Sequence, residues 1–423
     1  MSWYRRIALV LSISSFIVLS LALTMNWVQG PGIQNLVGEV KSSDLFQHYG
    51  AGKFVAENRA ADLYQNAKLG QWIFDHHTAK EGVTVKGFDY VYPPLVAWVS
   101  SPWTHFSYIP YALIWLGLSI LLYLISTKQL LSLNSTPQSL FWLLLLLGLP
   151  SFHYTIILGQ NSTLTLLIIS SAALLLYKNQ DLAAGFILSF LFYKPQFLPL
   201  LVGFMFLLGR WKFVLAAVLG SLTWLLLGVL FCGVDSYQAW LRVIQNLSSG
   251  HQNQVFNLNQ TLKIFVLTLL GQAEKPSLLA GLLTTFLGLS LLGLSALIVR
   301  YAPQKNPLKT WTAAHSLLLA AAVMTVASPY LMHYDLLLAA GWWVLCWREQ
   351  ENKGWLVPLL GALFWATSLI SINTGDWNIP ATAPLMLIYL SGSLSLYFHL
   401  SPSSIIKGIQ TDCLRLKNKL LSA

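Results

Sequence analysis

Asp44 stands in Ser42-Ser43-Asp44-Leu45-Phe46-Gln47-His48-Tyr49, near the start of about eighty polar and aromatic residues between two apolar runs. A carboxylate in a soluble segment beside a membrane surface is suited to take a proton from a hydroxyl. The same position also reads as a helix cap, because Ser or Asp commonly precedes a helical pattern. Asp62, Asp75 and Asp89 share the segment, each among charged or turn residues, and read as solvated. Trp72, Tyr90 and Tyr92 supply rings on which an acceptor could stack, and Tyr92-Pro93-Pro94 closes the segment.

A second group of polar residues interrupts apolar sequence. Tyr193-Lys194-Pro195-Gln196 breaks the run 182–209. Proline removes a helical hydrogen bond, and a lone lysine at mid-bilayer costs about 2.5 to 3.5 kcal/mol on insertion scales, so two short helices with Lys194 at their outer junction are expected. Holding a phosphate is a natural role for such a lysine. Gly159-Gln160-Asn161 begins another apolar run, where Asn161 reads as a cap or as a binding group. His333, in Ser328-Pro329-Tyr330-Leu331-Met332-His333-Tyr334-Asp335, sits in a helix-start pattern that suits a structural histidine as well as a functional one. No HExxH, Walker, DxD or GxSxG pattern occurs, so metal, nucleotide and serine-hydrolase chemistry lack their usual signatures. No cofactor and no metal site are expected.

The elements that must position these groups are membrane helices. Of 423 residues 56% are hydrophobic and 9% charged, far from the quarter charged in soluble proteins, and mean hydropathy is +0.61. Apolar runs of spanning length lie near 7–27, 109–127, 139–157, 161–177, 213–232, 277–299, 310–327, 331–347, 355–372 and 380–400. With the two short helices of 182–209 this makes twelve crossings. The first run resembles a signal peptide but lacks a small-residue cleavage site, so it reads as a helix. The net charge of +10 comes from basic residues in short connections, which the positive-inside rule explains better than nucleic-acid binding. Both termini are then cytoplasmic, and segments 28–108 and 233–276 face outside. The competing topology treats 182–209 as one helix and 257–271 as a span, which moves Arg210 and Lys212 outside. Asp44, His48, Gln160, Asn161, Lys194, Gln196, His333 and Asp335 collect on the outer side in the twelve-crossing arrangement, which suggests a shared cavity. Segment 93–106 is expected on or partly within the membrane surface, and the basic and apolar tail, 401–423, reads as a cytoplasmic surface helix. Cys232, Cys346 and Cys413 are isolated and form neither a zinc pattern nor a disulfide framework.

These pieces together resemble glycosyltransferase family 87. The resemblance is carried by Asp44 with Tyr49 and Leu63-Tyr64, Val91-Tyr92-Pro93-Pro94-Leu95, Leu158-Gly159-Gln160-Asn161, Ala184-Gly185, Tyr193-Lys194-Pro195-Gln196, Gly209-Arg210-Trp211, Asn259-Gln260 and Ser328-Pro329. It runs over about the first 340 residues, and its C-terminal part rests on hydropathy. The resemblance implies an all-α polytopic membrane protein of GT-C fold, with a large first extracytoplasmic loop. It further implies metal-independent, inverting transfer of a hexose, mannose by family analogy, from a polyprenyl-phosphate donor. The acceptor is a lipid or glycan, and the setting a bacterial inner membrane. Asp44 matches the family's catalytic aspartate. Lys194, Gln160, Asn161, Gln196 and His333 are the expected donor-binding residues, and Trp72, Tyr90 and Tyr92 the acceptor-binding ones. A transporter or lipid flippase is the competing reading for twelve crossings, although the two halves share no evident repeat. A non-enzymatic membrane assembly factor is a third.

Overall fold

The computed structural model describes residues 3–30, 32–35, 40–65, 68, 71–72, 90–133, 139–247, 261–272, 277–302, 311–349, 382–398 and 401–421. Among the described residues the chain is helical, with no strand beyond isolated bridges. In chain order, α1 (Trp3–Val28) is followed by α2 (Ser43–Ala56), a 3-10 turn at Ala60–Asp62, α3 (Pro94–Ser100) and a 3-10 turn at Ser101–His105. Then come α4 (Tyr108–Leu133), α5 (Ser139–Leu147), α6 (Pro150–Leu158), α7 (Ser162–Tyr177), α8 (Asp181–Ser189) and α9 (Leu198–Leu207). The remainder comprises α10 (Trp211–Cys232), α11 (Val234–Leu247), α12 (Leu262–Leu269), α13 (Leu278–Tyr301), α14 (Ala313–Ala327), α15 (Ala340–Glu349), α16 (Thr382–Tyr397) and α17 (Pro402–Leu421).

Four of these, α1, α4, α10 and α13, are long and apolar enough to cross a membrane. The bent pair α5–α6, hinged by 55°, makes a fifth if it is one span. Its hinge falls at Pro150, which opens α6 where a missing N–H is harmless. Helices α7, α9, α14 and α16 are apolar but shorter. The described helices therefore do not by themselves reach twelve crossings, and the expected span 355–372 lies outside the described residues. The break in 182–209 is present: α8 runs into a 3-10 turn at Phe190–Tyr193, and α9 restarts at Leu198. In place of the competing 257–271 span stands α12, which has eight residues.

Apolar side chains face two ways. Leu226, Leu230, Leu278, Leu279 and Phe286 on α10 and α13 are exposed, as a lipid-facing surface requires, whereas α14 and the segment 331–346 are buried almost completely. A large core joins α4 through α10 with α13 to α16, and a separate smaller core belongs to the first loop. That smaller core gathers Leu45, Phe46, Tyr49 and Phe54 of α2 with Leu63, Tyr64, Tyr90 and Tyr108. Tyr92 packs against both cores and so joins loop to bundle. At the far side, Asp412 of α17 accepts hydrogen bonds from Arg300 (2.6 Å) and Tyr301 (2.9 Å) at the end of α13, fastening the tail helix to the bundle.

Helices α8 and α10 touch through small residues. A Cβ at Gly185 would lie 2.1 Å from the carbonyl oxygen of Phe213, a backbone atom that cannot move aside without separating the helices. Small residues permit such approach in apolar surroundings, where helices gain little from the hydrophobic effect. Gly185→Ala is expected to cost on the order of 1 to 3 kcal/mol, read as a lower unfolding temperature of the purified protein in detergent. An unchanged transition would show that this contact does not hold α8 on α10.

Candidate active site

The site is assembled where the start of α2 meets the turn between α6 and α7. Ser42 precedes α2 in the left-handed region (φ 54°), and its side chain makes no capping bond. Tyr108 donates its hydroxyl to the carbonyls of Lys41 and Ser42, the latter at 2.9 Å. Lys41 in turn donates to the carbonyls of Gly30 (3.0 Å) and Gly32 (2.8 Å), which ties the start of the loop to the end of α1. On the opposite wall Gly159 has φ +70° and ends α6, and a Cβ there would meet Leu45 Cβ at 2.6 Å and Ser42 Cβ at 2.9 Å. Only glycine satisfies both the backbone angle and that approach. Trp115 donates to the Gly159 carbonyl at 3.0 Å and holds the turn from behind.

Because the two turns touch, the residue after Gly159 reaches Asp44. Gln160 Nε2 donates to Asp44 Oδ2 at 2.5 Å, and Gln160 Oε1 accepts from the Tyr92 hydroxyl at 3.4 Å. The carboxylate of Asp44 is thus spent on a neighbouring element instead of a cap, though its place in the first turn still suits the helix dipole. Asp44 is half-buried. Burial pushes its carboxyl up to about 6, with the Gln160 hydrogen bond and the Lys194 charge holding it down. Tyr92 also receives a hydrogen bond from Asn161, and burial, followed by the charges of Asp44 and Asp335, pushes its phenol well above the usual range. It therefore remains a donor. Asn161 occupies the N-cap position of α7 without a side-chain capping bond, and its Oδ1 is buried with no partner among the described residues.

The second half of the cluster is an ion pair. Lys194 Nζ lies 2.6 Å from Asp335 Oδ1, and the two side chains are 4% and 5% exposed. Ser162, the first residue of α7, donates to the same Asp335 oxygen at 2.6 Å. The break between α8 and α9, the start of α7 and the 3-10 segment His333–Ala339 therefore converge on one carboxylate. One donor of the ammonium is used there, and among the described residues the other two have no hydrogen-bond partner. Lys194 also acts on Asp44 and His48 through its charge, so the two halves share one electrostatic environment. His333 is buried, its ring edge-on to Tyr154 at 4.5 Å, and its Nδ1 has no partner among the described residues. Gln196 lies half-buried in the turn beyond Lys194.

Of the expected acceptor-stacking rings, Tyr90 and Tyr92 neighbour each other at 5.9 Å, and Tyr92 contacts the Gln160 side chain. Trp72 is not brought to Asp44: it packs edge-on to Phe54, near the other end of α2. Asp62 is paired on the surface with Lys68 at 2.6 Å, as a solvated acid would be, while Asp75 and Asp89 lie outside the described residues. Asp335, Ser162 and His48 join the cluster without having been assigned roles from sequence. Asp335 could have been paired with Lys194 on one consideration, that an acid and a base each embedded in apolar sequence need one another. Among the described residues no three His, Cys, Asp or Glu side chains converge as metal ligands do.

Removing one partner of a buried pair strands the other charge, at about 3 to 5 kcal/mol, whereas replacing both with apolar groups costs little. Lys194→Met and Asp335→Leu are each expected to lower the unfolding temperature strongly, and the double variant to recover much of the loss. A double variant no more stable than either single one would contradict the pairing.

The model of glycosyltransferase family 87 matches the sequence over residues 90–329. No curated protein and no solved structure matches it. The matched stretch holds Tyr92, Gln160, Asn161, Lys194 and Gln196, and stops short of Asp44 on one side and of His333 and Asp335 on the other. Those three are joined to it by contacts with Gln160, Tyr154, Ser162 and Lys194. With more than half of its length matched, and with helices long and apolar enough to span a bilayer, the chain belongs to glycosyltransferase family 87 and is a membrane glycosyltransferase.

Proposed function

We propose that this enzyme moves a hexose, mannose by family analogy, from a polyprenyl phosphate to a lipid or glycan acceptor on the extracytoplasmic face of a bacterial inner membrane. In this reading the chain has the GT-C architecture with about twelve crossings and both termini inside. The observation that carries it is the single polar cluster, in which a half-buried carboxylate with a raised pKa lies within electrostatic reach of a buried lysine.

Asp44 takes the proton of an acceptor hydroxyl as its oxygen attacks the anomeric carbon. The new C–O bond forms as the bond from that carbon to the phosphate oxygen breaks, with inversion, and polyprenyl phosphate departs carrying the bonding electrons. Lys194 offers its two remaining N–H groups to the phosphate, whose charge rises as it leaves. Asp335 holds the ammonium in place. Gln160, while fixing Asp44, presents its amide beside Tyr92, and Asn161, Gln196 and His333 complete the donor side. Tyr92 forms the acceptor wall, and Tyr90 backs it from the loop core.

Two substitutions test this. Asp44→Asn, in membranes given radiolabelled polyprenyl-phosphate mannose, is expected to lower transfer about 10²- to 10⁴-fold with protein level unchanged. Full activity in that variant would exclude Asp44 as base. The base works only when ionised, so transfer should rise with pH through about 6, the value to which burial pushes Asp44. Gln160→Leu removes a bond that favours the carboxylate, so the acidic limb should move to higher pH. A limb that stays in place would mean that another group sets it.

A further inference from the structure

His48 lies one turn along α2 from Asp44, so both side chains share a helix face. It is 5% exposed, and its ring packs against Tyr92 at 4.4 Å and edge-on to Tyr90 at 5.9 Å. Neither ring nitrogen has a hydrogen-bond partner among the described residues, and Nδ1 is fully sealed. Because Nε2 is not sealed, it is the ring nitrogen that a partner from outside the chain can reach.

We infer that His48 binds the acceptor, donating a hydrogen bond from Nε2 to an uncharged, hydroxyl-bearing sugar that lies against Tyr92. This rests on the transfer reaction proposed above and names the chemical class of the acceptor end. A sealed N–H without an acceptor is rarer than a sealed lone pair, which places the proton on Nε2 and leaves Nδ1 bare. Burial and the Lys194 charge hold the imidazole neutral, down to about 4. A neutral donor flanked by two phenol rings, one helical turn from a carboxylate, favours a hydroxyl oxygen over a phosphate, which Asp44 repels. The ligand beside His48 is also the one whose hydroxyl Asp44 can reach, and that is the acceptor.

The test is calorimetric titration of the full chain in lipid nanodiscs with octyl α-mannoside, octyl β-glucoside, octyl β-galactoside and octyl phosphate, below their micelle concentrations. At least one glycoside should bind wild type, and octyl phosphate, which the Lys194 site can take, should keep its affinity in the His48 variants. His48→Phe keeps the ring packing and should weaken that glycoside about 3- to 10-fold. His48→Asn, which supplies a neutral N–H donor of its own, should restore part of the affinity. The unfolding temperature of His48→Phe in detergent separates lost binding from lost fold. Equal glycoside affinity in a folded His48→Phe, an octyl phosphate affinity that falls along with it, or no glycoside binding at all would each overturn the assignment. Turnover of radiolabelled polyprenyl-phosphate mannose by wild type is scored separately. Normal turnover with His48-independent glycoside binding defeats this inference alone, whereas absence of turnover defeats the proposed transfer from polyprenyl-phosphate mannose.

Discussion

The buried pair of Lys194 and Asp335 is the constraint around which the bundle is arranged. Taking two charges out of water costs several kcal/mol per ion, and only close geometry with further hydrogen bonds offsets it. Here the distance is 2.6 Å, and Ser162 supplies a second donor to the same oxygen. The chain cannot bury Lys194 without breaking the helix that carries it, nor bury Asp335 without bringing the 3-10 segment against the start of α7. The irregular backbone at both places is tolerated because it is covered by protein and not by lipid.

A second arrangement depends on that one. The first loop has a core of its own, built largely from aromatic residues, and it docks by Tyr92, which packs against both cores. Docking brings Ser42 and Leu45 onto Gly159, and the residue that follows, Gln160, then faces Asp44. The proposed base and the ammonium group thus come from separately cored parts of the molecule, and the polar cluster lies at their seam. Ligand sites commonly occupy such seams, where polar groups from several elements can converge without any one helix carrying them all.

The fold was legible wherever one-dimensional pattern suffices. Apolar runs coincide with α1, α4, α10 and α13 because the bilayer demands internally bonded helices of a set length, and Lys194-Pro195 marked its break because proline and a buried charge both oppose a continuous helix. The site was legible only in part. Asp44, Gln160, Asn161 and Lys194 stood out as polar groups in apolar company, yet the cap reading of Asp44 was equally available from its local pattern. Trp72 had the type for a stacking ring, and the structure packs it against Phe54, ten residues along α2 from Asp44. His48 and Asp335 gained their significance from neighbours distant in sequence.

The sequence alone determined the class of the molecule, the breaks in its helices and the polar side chains that hydrocarbon would not accept without reason, because these follow from hydropathy and local backbone chemistry. Tertiary structure alone decided which of those groups meet. Asp44 and Gln160 are 116 residues apart, and Lys194 and Asp335 are 141. Contacts at such separations depend on how helices pack and on where glycine lets backbones touch, and no local pattern encodes a partner across that distance.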